Sequence, residues 1–226
     1  MKQISYIILL LFVTACSLSP RDVLKADALP EIYPDYIGVT IPAEIAPMNF
    51  CMADETVEAV SVKVRGSNGG ELESKTGLFA KKDVAHFDIE EWHSLTKENI
   101  AGELIFSVKA FKDGQWKEYE PFSMFVSSKP LVDYGITYRK IAPGFETFSD
   151  IGIYQRRLSA YEEETIFNIK DVDGQCMNCH YANRGNPEQY LVHVRGKHGA
   201  TMVHNRDKDT DLNTKTNKTC GSCTYG

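Results

Sequence analysis

Apolar and polar residues alternate in the first half of this chain, and this alternation limits the fold more than any other feature of the sequence. Val60, Val62 and Val64 are separated by polar residues, which is the two-residue period of a strand with one face exposed to water. Residues 104–111 form another short apolar segment. Short strands bounded by Gly, Asp and Pro are typical of a β-sandwich. The chain is therefore predicted to be mainly β, with a β-sandwich-like domain at residues 35–128.

Turn sequences separate the predicted strands. The Asn-Gly-Gly sequence at residues 68–70 predicts a turn, and the Asp-Gly pair at residues 113–114 predicts a hairpin that continues into a strand at residues 116–119. Residues 122–126 are predicted as the next strand. The segment 88–100 allows a short helix. We expect this domain to act as a scaffold or a partner-binding module.

Three residues of this domain are predicted to have structural or surface roles. His86 and His93 each stand alone in the sequence, so neither has a partner in a recognisable metal or catalytic motif. Cys51 lies between Phe50 and Met52, and it is predicted to be a small buried apolar residue, as free cysteines often are.

The N-terminus has the features of an export signal. Lys2 precedes a nearly unbroken apolar run at residues 4–13, and this run is shorter than the about 20 residues that a membrane-spanning helix needs. Residues 1–15 are therefore predicted to be a signal peptide. Val-Thr-Ala before Cys16 resembles the lipobox of bacterial lipoproteins, which implies an acyl group on Cys16 and a lipidated tether at residues 16–34. Cleavage at another position, with Cys16 unmodified, is the alternative.

The expected location and the charge limit the partners. The chain has 25 basic and 31 acidic residues, and no basic run is interleaved with aromatic residues, so nucleic acid is not expected as a partner. We expect a membrane-anchored protein of the cell envelope that faces the periplasm, with the inner or outer membrane left open. Its partners would be the membrane, through the lipid, and a periplasmic redox or envelope protein. In that compartment cysteine pairs can be oxidised.

The strongest chemical signal is the Cys-Met-Asn-Cys-His sequence that contains Cys176, Cys179 and His180. Its spacing is that of c-type haem attachment. Two intervening residues let one tight turn present both thiols to one edge of the porphyrin, and the next residue brings an imidazole to the iron. The sequence therefore predicts haem c, with thioether bonds from Cys176 and Cys179 and His180 as an axial ligand of the iron.

Two other uses of these cysteines stay open. Cys176 and Cys179 could form a disulfide, or they could join Cys220 and Cys223 in a four-thiolate zinc site. The two Cys-x-x-Cys pairs are separated by 40 residues, which is longer than the roughly 15 to 20 residues usual for such zinc sites. Cys220 and Cys223 are expected to form a disulfide or an irregular end of the chain.

The second axial position of the iron has four candidates after the motif. His193 lies between Val192 and Val194, so a strand would direct its side chain away from them, to the face of Leu191 and Arg195. His193 is therefore the predicted second ligand, and a histidine held by a hydrogen bond within the strand is the alternative. Met202 is the next candidate, and His198 and His204 are predicted to face solvent.

The second half of the chain is predicted in two parts. Residues 129–175 are expected to be an irregular connector that packs through its aromatic residues. Residues 176–226 are expected to hold an irregular haem-motif segment and a short β-hairpin, with strands at residues 191–194 and 201–205 and a polar turn at residues 206–211.

Several short segments spread over nearly the whole mature chain resemble an exported lipoprotein family of anaerobic Gram-negative bacteria. Its members are labelled cytochrome c biosynthesis or TolB-like proteins. The segments lie at residues 33–36, 38–42, 45–50, 143–145, 153–156, 176–180 and 193–196. The resemblance implies a β-rich N-terminal part, the haem-type motif and then a TolB-like β-propeller, so the predicted hairpin would be the start of that propeller.

Three functions follow from these features. The first is a lipid-anchored periplasmic c-type haem protein that transfers electrons or senses redox state. The alternative is a non-enzymatic binding or assembly module of the envelope, whose cysteines are structural in a disulfide or a zinc site. A thiol oxidoreductase is the third, although the thioredoxin-like βαβ pattern that would activate a thiol is not visible. No nucleophile elbow, phosphate loop or His-Glu-x-x-His motif occurs, so we expect a redox or binding protein rather than a hydrolase.

Overall fold

The computed structural model describes residues 23–74, 82–132, 135–141, 151–175, 177–184 and 186–212. These residues form a mainly β structure with several sheets, which confirms the predicted fold class. The predicted signal peptide and the lipidation site lie outside the described residues. No helix within the described residues has the length and apolar character needed to cross a membrane.

The described residues of the N-terminal part form ten strands and one helix. In chain order they are β1 (Val23–Lys25), β2 (Ile32–Tyr33), β3 (Thr40–Ile41), β4 (Phe50–Met52), β5 (Ala59–Gly66), β6 (Glu71–Glu73), β7 (Val84–Ala85), α1 (Ile89–Glu98), β8 (Glu103–Lys112), β9 (Gln115–Glu118) and β10 (Phe122–Val126). Strand β8 is central to a seven-stranded sheet, because it pairs with β5 on one side and with β9 and β10 on the other. Strands β2, β4 and β7 form a separate small sheet.

An aromatic core joins the large sheet to the small sheet and the helix. Phe106 on β8 stacks on Phe122 of β10 with ring centroids 4.8 Å apart. Phe50 on β4 and Trp92 on α1 lie 6.3 and 6.4 Å from Phe106. Because these residues come from both layers, the region is a sandwich in which a helix completes the second layer.

The sequence patterns of this region correspond closely to its elements. Val60, Val62 and Val64 of β5 are buried. The other predicted strands correspond to β8, β9 and β10, although β9 ends one residue before the predicted bound. The helix allowed at residues 88–100 is α1. Asp88 is its N-cap, since its carboxylate accepts hydrogen bonds from the backbone N–H groups of Glu90 and Glu91.

The segment 129–175 differs from the irregular connector that was predicted. It contains an antiparallel sheet of β11 (Ile136–Lys140), β12 (Gly152–Arg156) and β13 (Glu164–Asn168). Most side chains of these strands are half-buried on both faces. Such strands lack the clean alternation of buried and exposed residues that identifies a strand in a sequence.

The last described region is a four-stranded meander. It consists of β14 (Met177–Asn183), β15 (Asn186–Val194), β16 (Ala200–Asn205) and β17 (Lys208–Asp211), each antiparallel to its neighbour. The predicted hairpin is confirmed as β15 and β16. The predicted turn at residues 206–211 was too long, because only Arg206 and Asp207 form the turn and the rest forms the exposed strand β17. The predicted propeller extends beyond what these residues can test.

Two contacts position the C-terminal sheets. Ile151, Ile153 and Ile169 of the first sheet region share an apolar core with Val192 and Val194 of the meander. The loop after β12 reaches the N-terminal sandwich, where the Ala46 N–H donates to the Leu158 carbonyl at 2.8 Å and the Tyr161 hydroxyl donates to the Pro47 carbonyl.

Candidate functional site

Residues 177–180 of the haem-type motif lie at the start of β14, an edge strand of the meander. Cys176 lies outside the described residues, as do Cys16, Cys220 and Cys223. Cys179 is described through its backbone alone. The thioether, disulfide and zinc hypotheses for these cysteines therefore stay predictions.

Residues 177–183 are an extended strand, whereas a tight turn was expected around the motif. Met177 lies opposite Val194, and Cys179 lies opposite His193. Between these two pairs β14 has one residue more than β15, which makes this position a β-bulge. Pairing with β15 accounts for the extended form, because it satisfies backbone hydrogen bonds that a turn would have to satisfy locally.

His180 lies next to an open hollow on the motif strand. The half-buried side chain of His180 lines this hollow, which has a volume of about 310 Å³. The other lining residues are Gly135, Ile136 and Thr137, at and just before β11, and Tyr181 and Ala182 on β14. Burial lowers the pKa of His180, a hydrogen bond with the Thr137 backbone opposes this, and the nearby Arg139 charge lowers it further. The imidazole is therefore neutral at pH 7, the form in which histidine binds metals.

His193 has a different environment. It is 3% exposed, and its Nδ1 lies 2.9 Å from the Thr201 hydroxyl. Burial and then the Arg195 charge lower the pKa of His193. This is the arrangement of the alternative interpretation, a histidine held by a hydrogen bond within the sheet.

The strand register separates the two imidazoles. His180 lies opposite Val192, so these residues share a face, and His193 as the next residue points to the other face. One iron would accept both imidazoles only after the pairing of β14 with β15 had changed. His193 as the second ligand stays a prediction, which this register does not favour.

The other candidates for the second ligand are distributed over the meander. Met202 lies opposite Val192 and therefore shares the face of His180. His204 is bound through Nδ1 to the Asp209 carboxylate at 2.8 Å. His198 lies in the short turn Gly196–His198, as predicted, and is described through its backbone alone.

The described residues fit haem at one point only. His180 supplies a neutral imidazole beside a solvent-accessible hollow. Within the residues described here, no group of three or more His, Cys, Asp or Glu side chains could hold a metal ion.

A second, larger cleft was not predicted from the sequence. It has a volume of about 690 Å³ and lies between the loop after β12 and strands β15 and β16; its lining includes Arg156, Arg157, Glu162, Glu188, Tyr190 and His204. Glu188 and Tyr190 come about thirty residues after Arg157, so no local motif brings them together. Only the packing of the two sheets reveals the cleft.

Comparisons with known proteins do not assign a role to this site. No family matches the chain, and no curated protein matches it. The resemblance to the cytochrome c biosynthesis and TolB-like lipoproteins therefore stays a prediction from the segments that carry it.

Proposed function

We propose that this chain is a lipid-anchored c-type haem protein of the periplasm that transfers electrons or senses redox state. The observation that carries the proposal is the Cys-Met-Asn-Cys-His sequence at residues 176–180, with its haem-attachment spacing. Cys176 and Cys179 would form the thioethers, and His180 would bind the iron. Bound haem supplies one-electron chemistry, whose potential depends on the axial ligands and on burial.

The surroundings of His180 support this role. Its imidazole is held in the neutral form by burial, and the adjoining hollow leaves space in front of the strand. A neutral ring nitrogen is required for binding iron, because a protonated imidazole has no free lone pair.

The position of the motif strand also supports the proposal. β14 pairs with β15 on one side, and no described strand of the meander pairs with its other side. An edge strand can separate from its sheet by losing one ladder of hydrogen bonds, whereas a central strand would lose two. Cys179 therefore lies on a strand whose backbone can adapt to covalent attachment.

The test is whether haem stays on the denatured polypeptide. The protein is produced in a host that matures c-type cytochromes, boiled in detergent, separated by electrophoresis and stained for haem peroxidase. Thioether bonds survive this treatment, so the wild type should stain and the Cys176→Ser/Cys179→Ser variant should not. Cys51→Ser is the matched control, because Cys51 lies on β4 in the N-terminal sandwich and should leave the stain unchanged. An unstained wild type with unmodified mass would refute the proposal.

A binding or assembly module with structural cysteines is the second candidate. The extended strand at residues 177–183 favours it, because this part of the motif is paired with β15 and does not form the tight turn expected for haem attachment. Zinc analysis and a count of free thiols in the same preparations distinguish it. Bound zinc that is lost in Cys220→Ser, or an oxidised Cys176–Cys179 pair, would support this candidate.

A further inference from the structure

The large cleft beside β15 has two walls that are held by different contacts. One wall is the loop after β12, which is fixed to the N-terminal sandwich by the hydrogen bond from Ala46 to the Leu158 carbonyl. The other wall consists of β15 and β16, which pair along six residues each. At about 690 Å³, the cleft has the size of a typical small-molecule site.

Three charged side chains of the cleft lack partners within the described structure, whereas Arg156 and Glu164 have one each. Arg157 and Glu162 on the loop and Glu188 on β15 line the cleft. None of the three side chains makes a hydrogen bond or an ion pair among the described residues. A ligand that covers such charges has to compensate them, because burying an unpaired charge is costly. Free charges of both signs therefore favour a ligand that itself carries both signs.

The inner part of the cleft offers an aromatic surface. Tyr190 stacks on His204 with ring centroids 4.7 Å apart, and His204 is in turn held by Asp209. On its other side, Tyr190 lies opposite Ala182. Because alanine has only a methyl group, its side chain cannot cover the second face of the Tyr190 ring, and this face can accept an apolar or aromatic group.

We propose that this cleft binds a short peptide with free amino and carboxyl ends. Its carboxylate pairs with Arg157, which can form two parallel hydrogen bonds with it. Its ammonium group pairs with Glu188 on the opposite wall, with Glu162 adding negative charge. A side chain of the peptide packs on Tyr190. The proposal is independent of haem attachment, since none of these residues belongs to the motif.

The test is a calorimetric titration of the full chain with the dipeptide glycylphenylalanine and with two blocked forms of it. One form has an acetylated amino end, and the other has an amidated carboxyl end. The free dipeptide should bind, and each block should weaken binding by about tenfold or more, the usual effect of losing a charge-assisted hydrogen bond.

Variants assign each end of the dipeptide to its partner. In Arg157→Gln, amidation of the carboxyl end should no longer weaken binding, because the partner of that end is gone. In Glu188→Gln, acetylation of the amino end should no longer weaken binding, for the same reason. Arg65→Gln on β5 is the control, since Arg65 is exposed in the N-terminal sandwich, and it should behave as the wild type does. All three side-chain changes remove exposed charges, so circular dichroism should show an unchanged fold.

Three results would overturn the proposal. The first is no heat of binding at millimolar dipeptide. The second is binding that Arg157→Gln and Glu188→Gln leave unchanged. The third is binding of a neutral disaccharide in preference to the dipeptide, which would make the cleft a carbohydrate site. These titrations can use protein with or without haem, so their result does not depend on the result of the haem stain.

Discussion

His180 of the motif and His193 on the neighbouring strand differ in the surroundings of their rings. His193 is buried and bonded to Thr201 on the neighbouring strand, whereas His180 is half-buried beside a hollow. A buried nitrogen without a partner costs free energy, so the Thr201 contact has a structural role. His180 also has a hydrogen bond, with the Thr137 backbone, but its ring borders the hollow, so it is the better placed of the two for a ligand.

Removing the Thr201 hydroxyl should destabilise the protein. In Thr201→Val the shape is kept but Nδ1 of His193 loses its partner, and we expect the free energy of unfolding to fall by about 1–3 kcal/mol. Chemical denaturation followed by fluorescence measures this. Thr210→Val on the exposed strand β17 is the control and should change stability much less. Equal losses of unfolding free energy in both variants would contradict a stabilising role for this buried hydrogen bond.

Acid should destabilise the protein through the same two histidines. The pKa values of His180 and His193 lie below the ordinary value of 6.5, mainly because burial disfavours the charged ring. The unfolded chain therefore binds more protons than the folded chain as the pH falls below 6.5, and the free energy of unfolding decreases with it. His180→Gln and His193→Gln should each make stability less dependent on pH between about 7.5 and 5.5. An unchanged pH dependence in both variants would contradict this.

At the scale of elements, α1 completes the second layer of the sandwich. Trp92 and Leu95 of this helix are buried against the large sheet, and Asp88 satisfies two of the backbone N–H groups at its first turn. The helix is short, so its stability comes from this packing and from its cap rather than from its length.

Removing the cap should loosen this layer. Asp88→Ala should lower the free energy of unfolding by about 1 kcal/mol, the typical value for losing an N-cap side chain. Asp83→Ala removes an exposed carboxylate a few residues earlier and serves as the control. Thermal unfolding of both variants measures the difference, and a control that loses as much as Asp88→Ala would refute the capping role.

The elements also show which sequence signals were sufficient. The alternation of Val60, Val62 and Val64 predicted β5, because one face of that strand is buried and the other is wet. β11 is half-buried on most of its residues, so it has no such alternation and was missed. The partner of His193 depends on the register of β15 and β16, which apolar patterns alone do not specify at single-residue precision.

At the scale of the whole molecule, the described structure has two core regions joined by a docked loop. The aromatic core belongs to the sandwich, and a smaller core lies between the two C-terminal sheets. The loop at residues 157–163 contacts the sandwich through Leu158 and Tyr161. The cleft therefore arises from tertiary packing, and local sequence motifs could not have predicted it.

Membrane attachment is the prediction that concerns the whole molecule. The apolar run and the Val-Thr-Ala-Cys sequence at residues 13–16 lead us to propose that the mature protein begins at an acylated Cys16. The wild type should sediment with membranes, resist extraction by high salt and be released by detergent, because acyl chains are held by the hydrophobic effect rather than by charge. Cys16→Ser should be soluble or should keep its leader, whereas Cys51→Ser should sediment as the wild type does. Intact mass of the detergent-released protein identifies the acyl group. A soluble wild type whose mature N-terminus lies at another residue would refute the anchor while leaving the haem test unaffected.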